Sequence, residues 1–226
     1  MKNILITGTS SGLGLSLTRH LEKKYNVYKL NKTNLENDPF DISCDLSDFG
    51  SVREALSQLP DDITCFSYVI LNAGILGNLK PISDLSLDEF QNSMNINFLS
   101  NKIIIDYLLS KFKVDTIIGI SSGASQTPYH GWSLYCCSKS AFRQLLGVYA
   151  YEKKETKFYS ITAGPFKSKM QDYICDQDEN EIPSVKKFKE NQEKFPNSDK
   201  VASDIINLFP ILQKYNSGTY IDLRKK

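Results

Sequence analysis

Short apolar runs alternate with longer amphipathic stretches along this chain. Residues 3–7 (NILIT), 26–30 (NVYKL), 66–71 (FSYVIL), 114–121 (VDTIIGIS), 157–162 (KFYSIT) and 217–223 (SGTYIDL) are each too short for a buried helix and rich in β-branched or aromatic residues. They predict strands. A further short strand is expected between Asp38 and Asp45. Between the runs the apolar period changes to that of a helix. Leu13, Leu17 and Leu21 share one face after the first strand, and helices are predicted over 47–59, 132–153 and 198–213. Residues 84–111 read as one long helix or a helix pair. Asp45 is a candidate cap for the helix beginning at Ser47, and Ser198 a candidate cap for the last helix.

Strands alternating with helices imply α/β architecture, with a parallel sheet covered on both faces. The link after the first strand, Thr7-Gly8-Thr9-Ser10-Ser11-Gly12-Leu13-Gly14, makes this more specific. Strand, glycine turn and helix N-terminus together form an anion site, because free backbone N–H groups and the helix dipole meet there. Glycines permit the tight turn and let the backbone approach a pyrophosphate. The expectation is a doubly wound, three-layer Rossmann-type sandwich of seven parallel strands, formed as a single domain over residues 1–226.

Composition excludes several classes. A net charge of +1 gives no field for nucleic acid or an anionic membrane. No apolar run approaches the roughly 20 residues of a membrane-spanning helix, and the first residues lack a secretion signal's apolar region. Five cysteines without a Cys-x-x-Cys, and two distant histidines, argue against zinc and suit a reducing cytoplasm.

The candidate chemistry centres on Tyr135 and Lys139. Four residues apart on a helix, they share a face, and an ammonium beside a phenol lowers the phenol's pKa from about 10 toward a working general acid. The spacing alone is weak: chance supplies roughly one such pair in a chain of this composition. Five occur here: Tyr25/Lys29, Tyr28/Lys32, Tyr107/Lys111, Tyr135/Lys139 and Tyr149/Lys153. Only Tyr135 follows an apolar strand ending in serines, with Ser122 thirteen residues before it.

This arrangement, with the Thr-Gly-x3-Gly-x-Gly turn and Asn72-Ala73-Gly74 after the fourth strand, resembles the compact members of the short-chain dehydrogenase/reductase family. The ending GTYIDLR resembles the sepiapterin/benzil reductase subgroup. The resemblance spans nearly the whole chain except 171–196, which would be a substrate lid. It implies Ser122, Tyr135, Lys139 and a helical asparagine as catalytic residues. Asn95 takes that last place, with Asn97 as the rival candidate. It further implies that a nicotinamide dinucleotide contacts Gly8, Ser10, Ser11, Gly12, Leu13, Gly14, Asp45, Leu46, Asn72, Ala73, Gly74, Tyr135, Lys139, Gly164, Phe166 and Ser168. The family's usual Pro-Gly after the sixth strand is Ala163-Gly164 here, and Ser168 replaces its threonine.

Strand two ends at Leu30, and the next two positions are expected to face the adenine ribose. A carboxylate there would favour NAD(H). Asn31 and Lys32 instead favour NADP(H), with NAD(H) possible. The implied reaction is carbonyl reduction, or its reverse, on a small-molecule substrate, and Tyr129, Trp132 and Phe166 suggest an apolar pocket for aromatic or dicarbonyl compounds. A homodimer or homotetramer is expected through Phe142, Leu145, Leu146 and Tyr149. The competing classes are a catalytically silent NADP(H)-binding regulator and an interaction subunit on the same fold.

Overall fold

The structure is a computed structural model, and it describes residues 1–33 and 38–225. Seven strands lie in one parallel sheet: β1 (Lys2–Thr7), β2 (Tyr25–Asn31), β3 (Asp41–Ser43), β4 (Cys65–Leu71), β5 (Lys113–Ser121), β6 (Lys157–Thr162) and β7 (Tyr220–Asp222), in the order β3-β2-β1-β4-β5-β6-β7. The chain winds outward from β1 to β3, then returns to β4 and winds the other way. The reversal between β1 and β4 opens a crevice at the strands' carboxyl ends.

Both faces of the sheet are covered, which is why the strands read as continuous apolar runs. Successive residues feed opposite cores. Leu5, Val69 and Ile117 pack with Leu56 of α2 (Phe49–Ser57), Ile104 and Leu108 of α4 (Ser100–Lys111), and Phe142 and Leu146 of α5 (Ser133–Glu152). Ile4, Ile6, Ile70 and Ile118 pack with Leu13 and Leu17 of α1 (Gly12–Leu21) and with Val201 and Ile205 of α8 (Ser198–Ile206). Among the described residues no helix is long and apolar enough to cross a membrane.

Local chemistry sets the helix ends, in places differently from expectation. Asp48, not Asp45, caps α2 by accepting from Gly50 N; Asp45 instead turns onto Ser47. The last helix is capped by Asn197, not Ser198, and stops at Ile206 rather than continuing to 213. Pro210 has no N–H to bond the Ile206 carbonyl, and its ring would clash there, so residues 209–214 form a tighter 3-10 turn. The 84–111 stretch is two helices, α3 (Leu87–Met94) and α4, joined by a π-turn over Asn95–Leu99 in which Ser100 N bonds Asn95 O. The wider turn is a local bulge between the two helices.

Three side chains expected to mediate self-association are spent inside the chain. Phe142 and Leu146 are 1% exposed, and Tyr149 is buried with its hydroxyl bonded to Asp106. The exposed apolar groups of α5 are Val148 and Tyr151.

Candidate active site

A cleft of about 830 Å³ runs along the carboxyl ends of the strands, from the α1 N-terminus to the C-terminal segment. Every residue expected at the site lines it except Asn95 and Gly14. Gly14 supports the turn from behind. A Cβ on it would lie 1.9 Å from Gly8 O and 2.6 Å from Asn72 Nδ2, so only glycine lets α1 sit this close. Gly8 adopts φ +70° against Ala73, and Gly12 adopts φ +55° facing open space.

The turn is braced from two strands. Asn72 Nδ2 donates to Thr7 O and Gly8 O, while Thr7 Oγ1 accepts from Asn72 N and Ala73 N. Ser11, at the N-cap of α1, makes no side-chain cap bond, so the first-turn N–H groups beside Ser10, Gly12 and Leu13 stay available to an anion.

Asn31 corrects an expectation. It is 1% exposed: its Oδ1 accepts from Thr9 N at 2.6 Å and its Nδ2 donates to Thr9 Oγ1 and Asp41 Oδ1. The side chain fastens the glycine turn to β2 rather than offering itself to a ribose, because β2 extends one residue further than expected and turns Asn31 inward. Lys32 does reach the rim. It is 75% exposed and pairs with Asp45 at 2.8 Å. That ion pair, with bonds from Ser47, holds the Asp45 carboxyl at about 2.

The proposed chemical centre joins β5, β4 and α5. Ser122 follows β5; its Oγ accepts from Ala124 N and stands close enough to the Tyr135 hydroxyl to oppose the rise of its pKa. Tyr135 stands in the first turn of α5, partly open to the cleft. Lys139, one turn later, is 3% exposed, donates to Ile120 O at 2.9 Å and lies 5.7 Å from the Tyr135 ring centre. Gly74 leaves room for it: a Cβ there would lie 3.1 Å from Lys139 Nζ and 3.0 Å from Asn97 Oδ1.

Burial, opposed by Ser122, pushes the Tyr135 phenol up to about 12. Burial pulls Lys139 down to about 8. The expectation that the ammonium lowers the phenol's pKa is therefore not met in this state. Lys139 is turned to a backbone carbonyl, and desolvation dominates both groups.

Asn97, not Asn95, is the asparagine that lies beside Lys139, across Gly74. Asn97 is fully buried, bonds Ile75 through both its oxygen and its nitrogen, and donates to Ser138 Oγ. Asn95 accepts from Gln91 Nε2 and reaches toward Ser47 O, away from the lysine. Ser93, Asn97, Ser100, Asn101 and Ile104 form one buried stripe that excludes Asn95.

The segment 171–196 is largely helical, with α6 (Lys169–Asp176) and α7 (Lys186–Asn191). It closes a small separate core: Phe188 stacks on Trp132 at 5.2 Å, Tyr129 lies 5.2 Å from Trp132, and Met170 and Ile174 pack beneath. Ser168 lines the cleft, but its oxygen also caps α6 by accepting from Gln171 N. Phe188, Met170, Gln171 and Arg224 line the cleft without having been expected there. Composition hid the first three in a polar stretch, and Arg224 arrives only because β7 runs beside β6.

The chain matches the family model described as short chain dehydrogenase over residues 2–179. It is 26% identical over 209 residues to a Bacillus subtilis (strain 168) benzil reductase ((S)-benzoin forming), covering 85% of this chain and 86% of that protein. The Bacillus cereus protein of the same name is 28% identical over 211 residues, covering 83% and 85%. The crystal structure of a Saccharomyces cerevisiae short-chain dehydrogenase/reductase superposes with a TM-score of 0.86 at 18% identity, covering 99% of this chain and 96% of that one, and so has the same fold.

Proposed function

The chain belongs to the short-chain dehydrogenase/reductase family, enzymes acting on CH–OH/C=O groups with NAD(P), and on that premise we propose that it is an NADP(H)-dependent reductase of aromatic ketones. The observation that carries this reading is a phenol and Ser122 side by side, with a buried lysine one turn behind, facing the same cleft as a glycine turn with an uncapped helix end.

The residues present fit a dinucleotide. Gly8 to Gly14 would hold the pyrophosphate, Asp45 and Leu46 the adenine, Lys32 a 2′-phosphate, Tyr135 and Lys139 the ribose, and residues 164–168 the carboxamide. A bound nicotinamide supplies or accepts the hydride. The protein's part is proton delivery and charge. Tyr135 keeps its proton throughout the neutral range, so it is a loaded acid. It gives that proton to the substrate oxygen as the oxygen becomes an alkoxide, and the electron pair of the O–H bond stays on the phenol oxygen. Ser122 donates to the same substrate oxygen and steadies its developing charge. Lys139, charged below about pH 8, stabilises the phenolate left behind. Asn97 positions Ile75 and Ser138 around that lysine.

The aromatic wall of Tyr129, Trp132, Phe166 and Phe188 supports flat apolar substrates, in keeping with the names of the two Bacillus relatives. Self-association, if it uses α5, would involve Val148 and Tyr151. The test is NADPH oxidation with a panel of aryl ketones and diketones. Cofactor binding with no turnover of any of them would favour the silent-regulator alternative.

A further inference from the structure

The C-terminal segment brings a guanidinium to the cleft. Arg224 follows β7 directly, and its Nε and Nη2 donate to Asp222 Oδ1 and Oδ2 at 2.9 and 2.7 Å. The carboxylate is covered, at 7% exposed, while the arginine is 53% exposed along the cleft wall. Two glycines make room for it. Gly164, at φ +77°, would put a Cβ 2.7 Å from Arg224 Cδ. A Cβ on Gly123 would lie 3.8 Å from Arg224 Nη2 and equally 3.8 Å from the Tyr129 hydroxyl. The guanidinium and that phenol thus converge on Gly123, the neighbour of Ser122. Tyr220 on β7 reinforces the corner, donating to Ser122 O at 3.4 Å.

We propose that Arg224 is a specificity residue that donates to a second oxygen on the carbon next to the reacting carbonyl, selecting 1,2-dicarbonyl substrates over simple ketones. Three features carry this. The first is proximity: Arg224 Nη2 comes within 3.8 Å of the Cβ position of Gly123, the residue next to the serine that meets the reacting oxygen, so a second donor stands beside the first. The second is donor count. Pairing with Asp222 uses two of the five guanidinium N–H groups and leaves three. The third is charge. Asp222 already balances Arg224, so the pair offers donors without net charge and suits a neutral ketone oxygen better than a carboxylate. The same pairing fixes the guanidinium plane before substrate arrives, which limits the ordering cost of binding.

This inference rests on the carbonyl-reductase reading, so its test separates the two. The purified full chain is compared with Arg224→Met, which keeps an apolar stem and removes every donor. The substrates are 1-phenyl-1,2-propanedione and 1-phenyl-1-propanone, with NADPH. Loss of a charge-assisted hydrogen bond at a half-exposed site predicts a fall of about tenfold in kcat/KM for the diketone. The monoketone should change by less than about twofold. An equal fall for both would mean that Arg224 only holds the C-terminal segment, and no fall for either would also overturn the proposal. The chain's single tryptophan, Trp132, lines the cleft and gives a readout without turnover. Diketone quenching of its fluorescence should weaken about tenfold in Arg224→Met. That result would sustain Arg224 even if neither ketone were reduced; unchanged quenching would sink it.

Discussion

Asn97 grips Ile75 from both sides: its Oδ1 accepts from Ile75 N at 2.8 Å and its Nδ2 donates to Ile75 O at 2.8 Å. The pair ties the π-turn between α3 and α4 to the segment leaving β4, beside Gly74 and Lys139. Asn97→Ala leaves the partly buried Ile75 N–H and C=O without this partner and removes one of the bonds to the Ser138 hydroxyl. It should cost about 2–4 kcal/mol and lower turnover. Asn95→Ala, at a half-buried position of the π-turn that faces away from Lys139, should stay within about 0.5 kcal/mol of wild type and leave activity unchanged. Urea midpoints and NADPH oxidation for the two variants check this. Equal effects would mean that the bonds of Asn97 do not distinguish it from Asn95.

Tyr135→Phe removes the proton donor and little else. Turnover of an aryl ketone should fall by at least about a hundredfold, with NADPH binding nearly intact. Tyr149→Phe is the control from another pair of the same spacing. Its hydroxyl is committed to Asp106, so it should cost about 1 kcal/mol of stability and spare the chemistry. Retention of more than about a tenth of the rate in Tyr135→Phe, where chemistry limits, would rule the phenol out as the acid.

The pH profile reflects two shifts of opposite sign. Tyr135, raised to about 12, keeps its proton throughout the accessible range. Lys139, lowered to about 8, is charged below that pH and neutral above it. Reduction should therefore be flat near neutrality and decline as pH rises through about 8, because the phenolate formed in the transition state loses its cation. Lys139→Met should be slow at every pH and lack this limb in kcat/KM. A wild-type profile flat to pH 10 would show that the lysine charge does not support proton transfer.

Cofactor choice rests on Lys32. Lys32→Ala should lower kcat/KM with NADPH by about tenfold while barely changing NADH, and the wild-type preference should shrink with salt. The Asp45 partner moderates the effect, so Asp45→Asn should raise the preference. Asn31→Asp is a poor probe, since it would replace the bond to Asp41 Oδ1 with a second carboxylate set against it. Equal use of both cofactors by the wild type would remove Lys32 from the role.

Much of the site was legible in the sequence because its residues sit at fixed offsets from elements whose pattern is local. A strand whose two faces are both buried must be apolar throughout, so β1, β4, β5 and β6 announce themselves. A glycine turn must follow the strand that delivers it, and Tyr135 and Lys139 face together because a helix repeats every 3.6 residues. Three matters were settled only in three dimensions. Whether Asn95 or Asn97 faces Lys139 depends on the burial of Ser93, Asn97, Ser100 and Asn101, a polar stripe that shows no apolar period in the sequence. Whether Lys139 lowers the Tyr135 pKa depends on burial and on the competing Ile120 carbonyl, neither of which spacing encodes. Arg224 reaches the cleft because β7 pairs with β6, so that residues 60 positions apart, Gly164 and Arg224, touch. Local sequence carries local periodicity; desolvation and contacts between distant segments exist only once the chain has folded.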